Sequence, residues 1–324
     1  MQPVKVGLIG CGNISNIYFQ TGKRFNAFDI VACADLLNER ATAKAKEHGI
    51  PKACSVKQLL TDKSIELVLN LTVPKAHAEI TLAALKAGKH TYSEKPLALR
   101  REEGQAILDT AREKGLLAGC APDTVLGAGI QTARKLIDDG WIGAPVSATA
   151  FMLSHGTESW HPDPEFYYEQ GGGPMFDMGP YYLSALITLL GPVRRVCGSA
   201  RITFPERTIT SEKKYGKIIS VEVPTHVAGI MDFKNGAIGT LITSFDVWST
   251  TLPCIEVHGS AASMIVPDPN NFGGEVRLRR VGDSAWSTIP LSHPHAENAR
   301  GIGVADMARA IRDGGAHRAN ATLA

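Results

Sequence analysis

The stretch VKVGLIGCGNIS, Val4 to Ser15, decides how the rest of the chain is read. Val4 to Ile9 is mostly apolar and β-branched, the pattern of a short strand buried on both faces, and it runs straight into glycines. Gly10-x-Gly12-x-x-Ser15 then stands where a dinucleotide fingerprint must stand, after the first strand and opening a helix over Ser15–Lys23. Gly10 permits the tight turn and Gly12 lets the backbone approach a pyrophosphate. The helix N-terminus adds unbonded N–H donors and a partial positive charge. Ser15 replaces the third glycine and is small enough for close packing. Asp35 ends the next strand, 20 residues beyond Ser15. A carboxylate there accepts hydrogen bonds from the adenosine ribose hydroxyls and repels a 2′-phosphate, so the expected cofactor is NAD rather than NADP. An ordinary turn for the glycines and a helix cap for Asp35 are the competing structural readings.

Outward from this unit the alternation continues. Ile30–Ala34 reads as a strand, Asn38–His48 as a helix closed by Gly49 and Pro51, Glu66–Leu71 as a buried strand and Lys75–Ala87 as a helix ending at Gly88. His90–Ser93, a helix over Glu102–Lys114 and the apolar Leu116–Cys120 follow. Crossovers long enough for helices imply a doubly wound parallel sheet, a Rossmann domain expected over residues 1–122. Beyond Pro122 the pattern changes. A helix near Ile130–Asp138 leads into Val146–Leu153, which alternates like a half-exposed strand. Further strands are expected at Val193–Ile202, His226–Phe233, Ala237–Phe245, Cys254–Gly259, Met264–Pro267 and Glu275–Arg280, with hairpin punctuation such as Lys234-Asn235-Gly236. With helices at Pro180–Leu190 and Val304–Arg312, residues 123–324 are expected to form an α/β domain around a large, mostly antiparallel sheet.

Composition narrows the function. A chain of 324 residues exceeds the size at which one core keeps growing, so two domains are the default. Lys and Arg number 34 against 32 Asp and Glu, leaving +2 and no field to hold nucleic acid or an anionic membrane. Hydrophobic residues at 44% and charged residues at 20% describe an ordinary folding chain. No run approaches about 18 apolar residues, and MQPVKVGLIG lacks the features of a signal peptide, so a cytoplasmic protein is expected. The six cysteines form no C-x-x-C pair and read as free thiols. His293 and His295 flank Pro294 without neighbouring ligands, and no metal site is expected. The end, HRANATLA, has small residues where another helix could be starting, the pattern of a chain cut short.

Thr72-Val73-Pro74…His77…Ala87-Gly88-Lys89-His90…Glu94-Lys95-Pro96, in order with the glycine turn and Asp35, resembles the Gfo/Idh/MocA oxidoreductase family. Gly171-Gly172-Gly173…Asp177-x-Gly179 matches that family's second signature. The resemblance implies a Rossmann domain and a C-terminal α/β domain with an open sheet that builds homodimers or homotetramers. It also implies hydride exchange between a nicotinamide and a secondary alcohol of a sugar, cyclitol or related polyol. Asn13 and Ile14 of the glycine turn, with Thr72, Pro74, His77, Glu94 and Lys95, are then expected around the cofactor beside Gly10, Gly12 and Asp35. One departure stands out: the family's D-x-G-x-H continues here to Tyr181, without the acid/base histidine.

Oxidising a secondary alcohol needs a group that takes the hydroxyl proton as hydride leaves carbon. Lys95 is the resemblance-based substrate contact, with the Lys95–Pro96 bond a candidate for the cis form. Asp177 and Tyr181 are four apart and would share a face if one helix starts around Asp177–Pro180. A phenol is a poor base at its ordinary pKa of about 10, but a neighbouring ammonium lowers that value, so Tyr181 beside Lys95 is a candidate proton carrier. The polar, aromatic stretch His155–Pro164 resembles a loop over a sugar site. Trp160 is suited to stack on a pyranose, and His155 or His161 could replace the missing histidine. Two rivals remain: a catalytically silent sensor of nucleotide or sugar on the same fold, and an NADP-linked reductase of a cyclic carbonyl compound.

Overall fold

The structure, a computed structural model, describes residues 2–324. They divide into two compact units, residues 2–126 with 299–324, and residues 127–298.

In the first unit, β1 (Val4–Ile9), α1 (Ser15–Gly22), β2 (Phe28–Ala34), α2 (Asn38–His48), β3 (Lys52–Cys54), α3 (Val56–Thr61), β4 (Leu67–Asn70), α4 (His77–Lys86), β5 (His90–Ser93), α5 (Arg101–Glu113) and β6 (Ala118–Cys120) follow one another. The six strands pair in the order β3-β2-β1-β4-β5-β6, all parallel. Val6, Leu8, Leu67, Val68 and Leu69 are fully buried, as a sheet covered on both faces requires. One core cluster gathers Leu59, Ile65, Val68 and Ala84, and another gathers Leu85, Ile107, Ala111 and Cys120. Full burial of a side chain such as Leu85 or Ile107 contributes about 1.5–3 kcal/mol. β3 and α3 escape the sequence reading because a three-residue strand shows no period. α3 nevertheless carries a capping box, Gln58 N donating to Ser55 Oγ and Ser55 N donating to Gln58 Oε1. The order reverses between β1 and β4, where Ile9 lies opposite both Ala34 and Asn70. The turns leaving β1, β2 and β4 therefore meet at one sheet end, the topological switch point.

The second unit runs through α6 (Ala128–Asp138), β7 (Pro145–Leu153), α7 (Gly173–Asp177), α8 (Gly179–Leu190), β8 (Val193–Arg201), β9 (Glu206–Thr208), β10 (Ile218–Ser220), β11 (His226–Phe233), β12 (Ile238–Ser244), β13 (Ile255–Gly259), β14 (Ala262–Val266), β15 (Val276–Arg280) and β16 (Ser287–Ile289). Eight strands pair as β16-β15-β14-β13-β7-β12-β11-β8, antiparallel throughout except for the parallel β7–β12 pair. β9 and β10 form a separate two-stranded ribbon. The register assigns the two faces of the large sheet. The row Met231, Gly239, Ala148, Val257, Met264, Leu278 is mostly buried, on the side where α6 and α8 pack. The neighbouring rows carry Ile230 and Ile238, both exposed.

Two expectations are corrected. Asp177 closes α7 and Tyr181 belongs to α8, with Met178 as the one-residue link, so the pair stands on two successive helices and not on one. Residues 299–324 also leave the expected C-terminal domain and complete the first unit. There α9 (Ile302–Asp313) ends near β1, with Arg312 forking onto Glu66 at 2.6 and 2.8 Å. The amide of Ala321 donates to Ala118 O at 2.9 Å, and that of Cys120 to Ala319 O at 3.2 Å. The start of α9 is met by Asp123, whose Oδ2 accepts from Gly301 N at 2.8 Å and Gly303 N at 3.1 Å. All six cysteines are free thiols, and no helix among the described residues is long and apolar enough to cross a membrane.

Burial pushes the Asp123 carboxyl up to about 6, against the pull of its two amide donors. Its folded value lies above its unfolded one, so folding takes up a proton between about pH 4 and 6. The stability this lends is full below that window and lost as pH rises through it. Asp123→Asn removes this titration. The melting temperature of the unsubstituted protein is expected to fall relative to the variant from pH 4 to 6, by an amount reflecting ~3 kcal/mol for two pKa units, and to run parallel above pH 6.5. A constant difference across the whole range rules out the raised carboxyl.

Candidate active site

On the first domain the site begins with Gly10. Its φ of +99° is left-handed, and a Cβ there would lie 2.5 Å from the backbone carbonyl of Leu71, so only glycine lets the turn pass beneath the loop after β4. Gly12 is the opposite case: a Cβ would meet nothing within 4 Å, and the face of the turn is open. Ser15 is buried and donates from Oγ to Gly12 O at 2.6 Å, closing the turn onto α1. Asn13 and Ile14 are exposed at its rim.

Asp35 is tied into this turn. Its Oδ2 accepts from Cys11 N at 2.8 Å and its Oδ1 from Leu37 N at 2.9 Å, leaving the side chain 7% exposed. Part of its work is therefore the local capping that competed with the ribose reading, yet each oxygen keeps acceptor capacity. A recess of about 430 Å³ opens beside it, lined by Cys11, Gly12, Asn13, Asn16, Arg40 and Lys44. Arg40 stands 3.7 Å from Asp35 Oδ1, and Lys44 Nζ donates to Asn16 Oδ1 and Glu47 Oε2 at 2.6 Å each. Sequence reasoning missed Asn16, Arg40 and Lys44, which read as the charged face of a helix. A glycine turn with an open face and two cations beside it fits a dinucleotide diphosphate.

The other expected cofactor residues form a braced loop pair. Asn70 Oδ1 accepts from Thr72 N and Oγ1, at 3.2 and 2.7 Å, and Asn70 Nδ2 donates to His77 O and Thr81 Oγ1. His77 is buried, with Nε2 3.0 Å from Thr72 O and Nδ1 2.6 Å from Pro96 O. Its ring thus pins the turn after β5 to the loop before Pro74. Glu94 also faces inward, its Oε1 accepting from Tyr18 of α1 at 2.8 Å and its Oε2 from Lys95 N at 3.1 Å. Burial and the Glu94 charge hold the Tyr18 phenol well above its ordinary value, so it stays a donor. The Lys95–Pro96 peptide is cis and Lys95 is half-buried.

On the second domain, Asp177 is half-buried and Tyr181 is 7% exposed. Trp160 is exposed, and His161 is ringed by Trp160, Phe166 and Tyr167 at centroid distances of 5.3–5.4 Å. His161 Nδ1 accepts from Asp163 N at 3.0 Å, so that nitrogen is engaged by the backbone. His155 stacks on Trp248 at 3.3 Å between centroids.

The model of an oxidoreductase family with an NAD-binding Rossmann fold, GFO/IDH/MocA, matches residues 4–121, and that of the GFO/IDH/MocA C-terminal domain matches residues 130–265. This chain belongs to the Gfo/Idh/MocA oxidoreductases. It is similar to the 1,5-anhydro-D-fructose reductase of Ensifer adhaerens, at 29% identity over 80% of this chain and 74% of that protein. It is also similar to the levoglucosan dehydrogenase of Pseudarthrobacter phenanthrenivorans, at 25% over 97% and 91%. The solved apo form of a levoglucosan dehydrogenase superposes with a TM-score of 0.84 at 23% identity, covering 100% of this chain and 93% of that one. An NAD-binding oxidoreductase from Klebsiella pneumoniae gives 0.84 at 22%, with the same coverage. The chain is accordingly an NAD(P)-dependent oxidoreductase with an NAD-binding Rossmann domain.

Proposed function

We propose that this enzyme oxidises a secondary alcohol of a sugar or cyclitol with NAD. The carrying observation is the convergence, at one end of the parallel sheet, of the open Gly12 face, the Asp35 carboxylate and the braced Glu94-Lys95-Pro96 turn. The relatives support the substrate class, since their names include a levoglucosan dehydrogenase, a myo-inositol 2-dehydrogenase and a D-glucoside 3-dehydrogenase. When bound, the nicotinamide supplies the hydride acceptor. The glycine turn and the start of α1 hold the diphosphate, and Asp35 accepts from the ribose hydroxyls. Lys95 hydrogen-bonds the substrate hydroxyl. Tyr181 carries its proton, and Asp177 orients the substrate. His161, with Nδ1 engaged by the Asp163 amide and its ring edge-on to Trp160, remains with Trp160 and His155 a candidate substrate contact. A panel of aldoses, inositols, sugar acids and glycosides, followed by NADH formation, tests the reading.

NADP is the second reading, and Arg40 with Lys44 in the recess favours it. With Asp35 dominant, NAD binds more tightly than NADP, Asp35→Ser shrinks the preference, and Gly12→Val abolishes both by filling the open face. Equal dissociation constants in the unsubstituted protein, measured by calorimetry, shift the assignment to Arg40 and Lys44.

Lys95→Ala is expected to lower kcat by ~10²–10⁴ with the fold and most nucleotide affinity intact, the usual contribution of a positioned acid/base group. Tyr181→Phe keeps the ring and is expected to lower kcat strongly with little change in melting temperature. Full activity of Tyr181→Phe alongside an inactive His155→Ala would move the proton carrier to the loop.

We infer also that a second copy covers the open sheet face, where Ile230 and Ile238 are 47% and 53% exposed and every residue of β8 after Val193 is exposed. Light scattering is expected to give a dimer or tetramer, and Ile230→Glu with Ile238→Glu to give a monomer. A monomeric unsubstituted protein refutes the interface.

A further inference from the structure

The second domain carries a recess of about 470 Å³, within the range of about 300–1,000 Å³ usual for small-molecule sites. Of the five substrate candidates on this domain only His155 lines it. Its walls come from the loop after β7, from β9 and from the segment after β12.

The wall contributed by β9 is a desolvated ion cluster. Arg207, 6% exposed, donates to Glu158 Oε1 at 2.7 Å, to Phe245 O at 2.8 Å and to Asp246 Oδ1. Tyr168 donates to the other oxygen of Glu158, and Thr225 to the other oxygen of Asp246 at 2.7 Å. One cation against two carboxylates leaves a net negative charge, and Glu206 adds another at the lining. A buried cluster of this kind is weak evidence for stability, and here its polar side chains line the recess. Among the lining side chains, Arg207 Nε and His155 Nδ1 are buried and have no hydrogen-bond partner.

Another part of the lining is flat and apolar. Trp248 is 83% exposed, one face of its indole backed by the His155 ring at 3.3 Å and 15° between planes. An aromatic plate lining the same recess as carboxylates, a guanidinium and the hydroxyls of Ser159 and Thr208 matches the two chemistries of a pyranose: a C–H face and a rim of hydroxyls. The negative balance disfavours uronates and sugar phosphates.

We propose that this recess is a subsite for an uncharged sugar ring additional to the ring that is oxidised, so that the substrate is a glycoside or disaccharide. The inference rests on the carbohydrate-oxidoreductase reading, and its test separates the two. Binding is measured without nucleotide, by saturation-transfer NMR and calorimetry on the full chain, with maltose, cellobiose, trehalose and methyl α- and β-D-glucopyranoside as neutral probes. Glucuronate and glucose 6-phosphate are the anionic ones. At least one neutral probe is expected to bind with a millimolar dissociation constant, weakened tenfold or more in Trp248→Ala, a change at an exposed position that leaves folding intact. Thr208→Val provides a second variant and is expected to weaken the same probe at least threefold. With a disaccharide substrate, Trp248→Ala raises KM about tenfold and leaves kcat within twofold. The subsite is overturned if no neutral probe binds, if an anionic probe binds more tightly, if Trp248→Ala binds like the unsubstituted protein, or if monosaccharide and disaccharide lose kcat/KM equally. Binding that depends on Trp248 with no turnover of any sugar upholds the subsite and sinks the dehydrogenase reading.

Discussion

The approach of Gly10 to the carbonyl of Leu71 is the constraint from which the nucleotide end of the molecule follows. It exists because β1 and β4 are neighbours while the chain between them crosses to the other side of the sheet. A side chain at Gly10 would separate the loop after β1 from the loop after β4. With the two loops closed together, the Cys11 amide is aimed at Asp35 and the Gly12 face is left clear. The Asn70 side chain then holds Thr72 and His77, and His77 holds Pro96. The position of Lys95 is thus inherited, through four short contacts, from a glycine 85 residues earlier in the chain.

Both domains bury carboxylates, and they manage the charge differently. Asp123 is satisfied by two backbone amides at a helix start, which offers partial positive charge without a cation, and desolvation still prevails. Glu158 and Asp246 share Arg207, a full cation with a rigid fork, and each keeps a further hydroxyl donor. The first arrangement fixes a chain crossing. The second holds polar groups rigidly at the edge of a cavity, as selective recognition requires.

Much of this was legible in the residues. The long parallel strands and their helices announced themselves by period, and the glycine turn with Asp35 by spacing. The antiparallel sheet was readable from hairpin punctuation. Elements without a period were not: β3, α3, β9 and β10 are three to six residues long. The junction at Met178 was hidden because Asp177 and Tyr181 keep helical spacing although they belong to two successive helices. Arg207, Glu158 and Asp246 were invisible for another reason. They lie 49 and 39 residues apart along the chain, and only the folded sheet makes them partners. Arg40 and Lys44 follow the same logic, reading as a solvated helix face until α2 is placed beside the glycine turn.

The return of residues 299–324 to the first domain makes the second domain an insertion, and this bears on how the chain is made. Asp123 emerges from a ribosome 178 residues ahead of Gly301. At about 5–20 residues per second, that interval lasts roughly 10–35 s. During it the nascent first domain has its six strands but lacks α9, the donors to Asp123, and the Arg312 fork onto Glu66. The inserted domain, contiguous from Gly127 to Asn298, is complete before its host is. Order of synthesis therefore favours the inserted domain folding first, and the nucleotide-binding host closing around its own returning tail last.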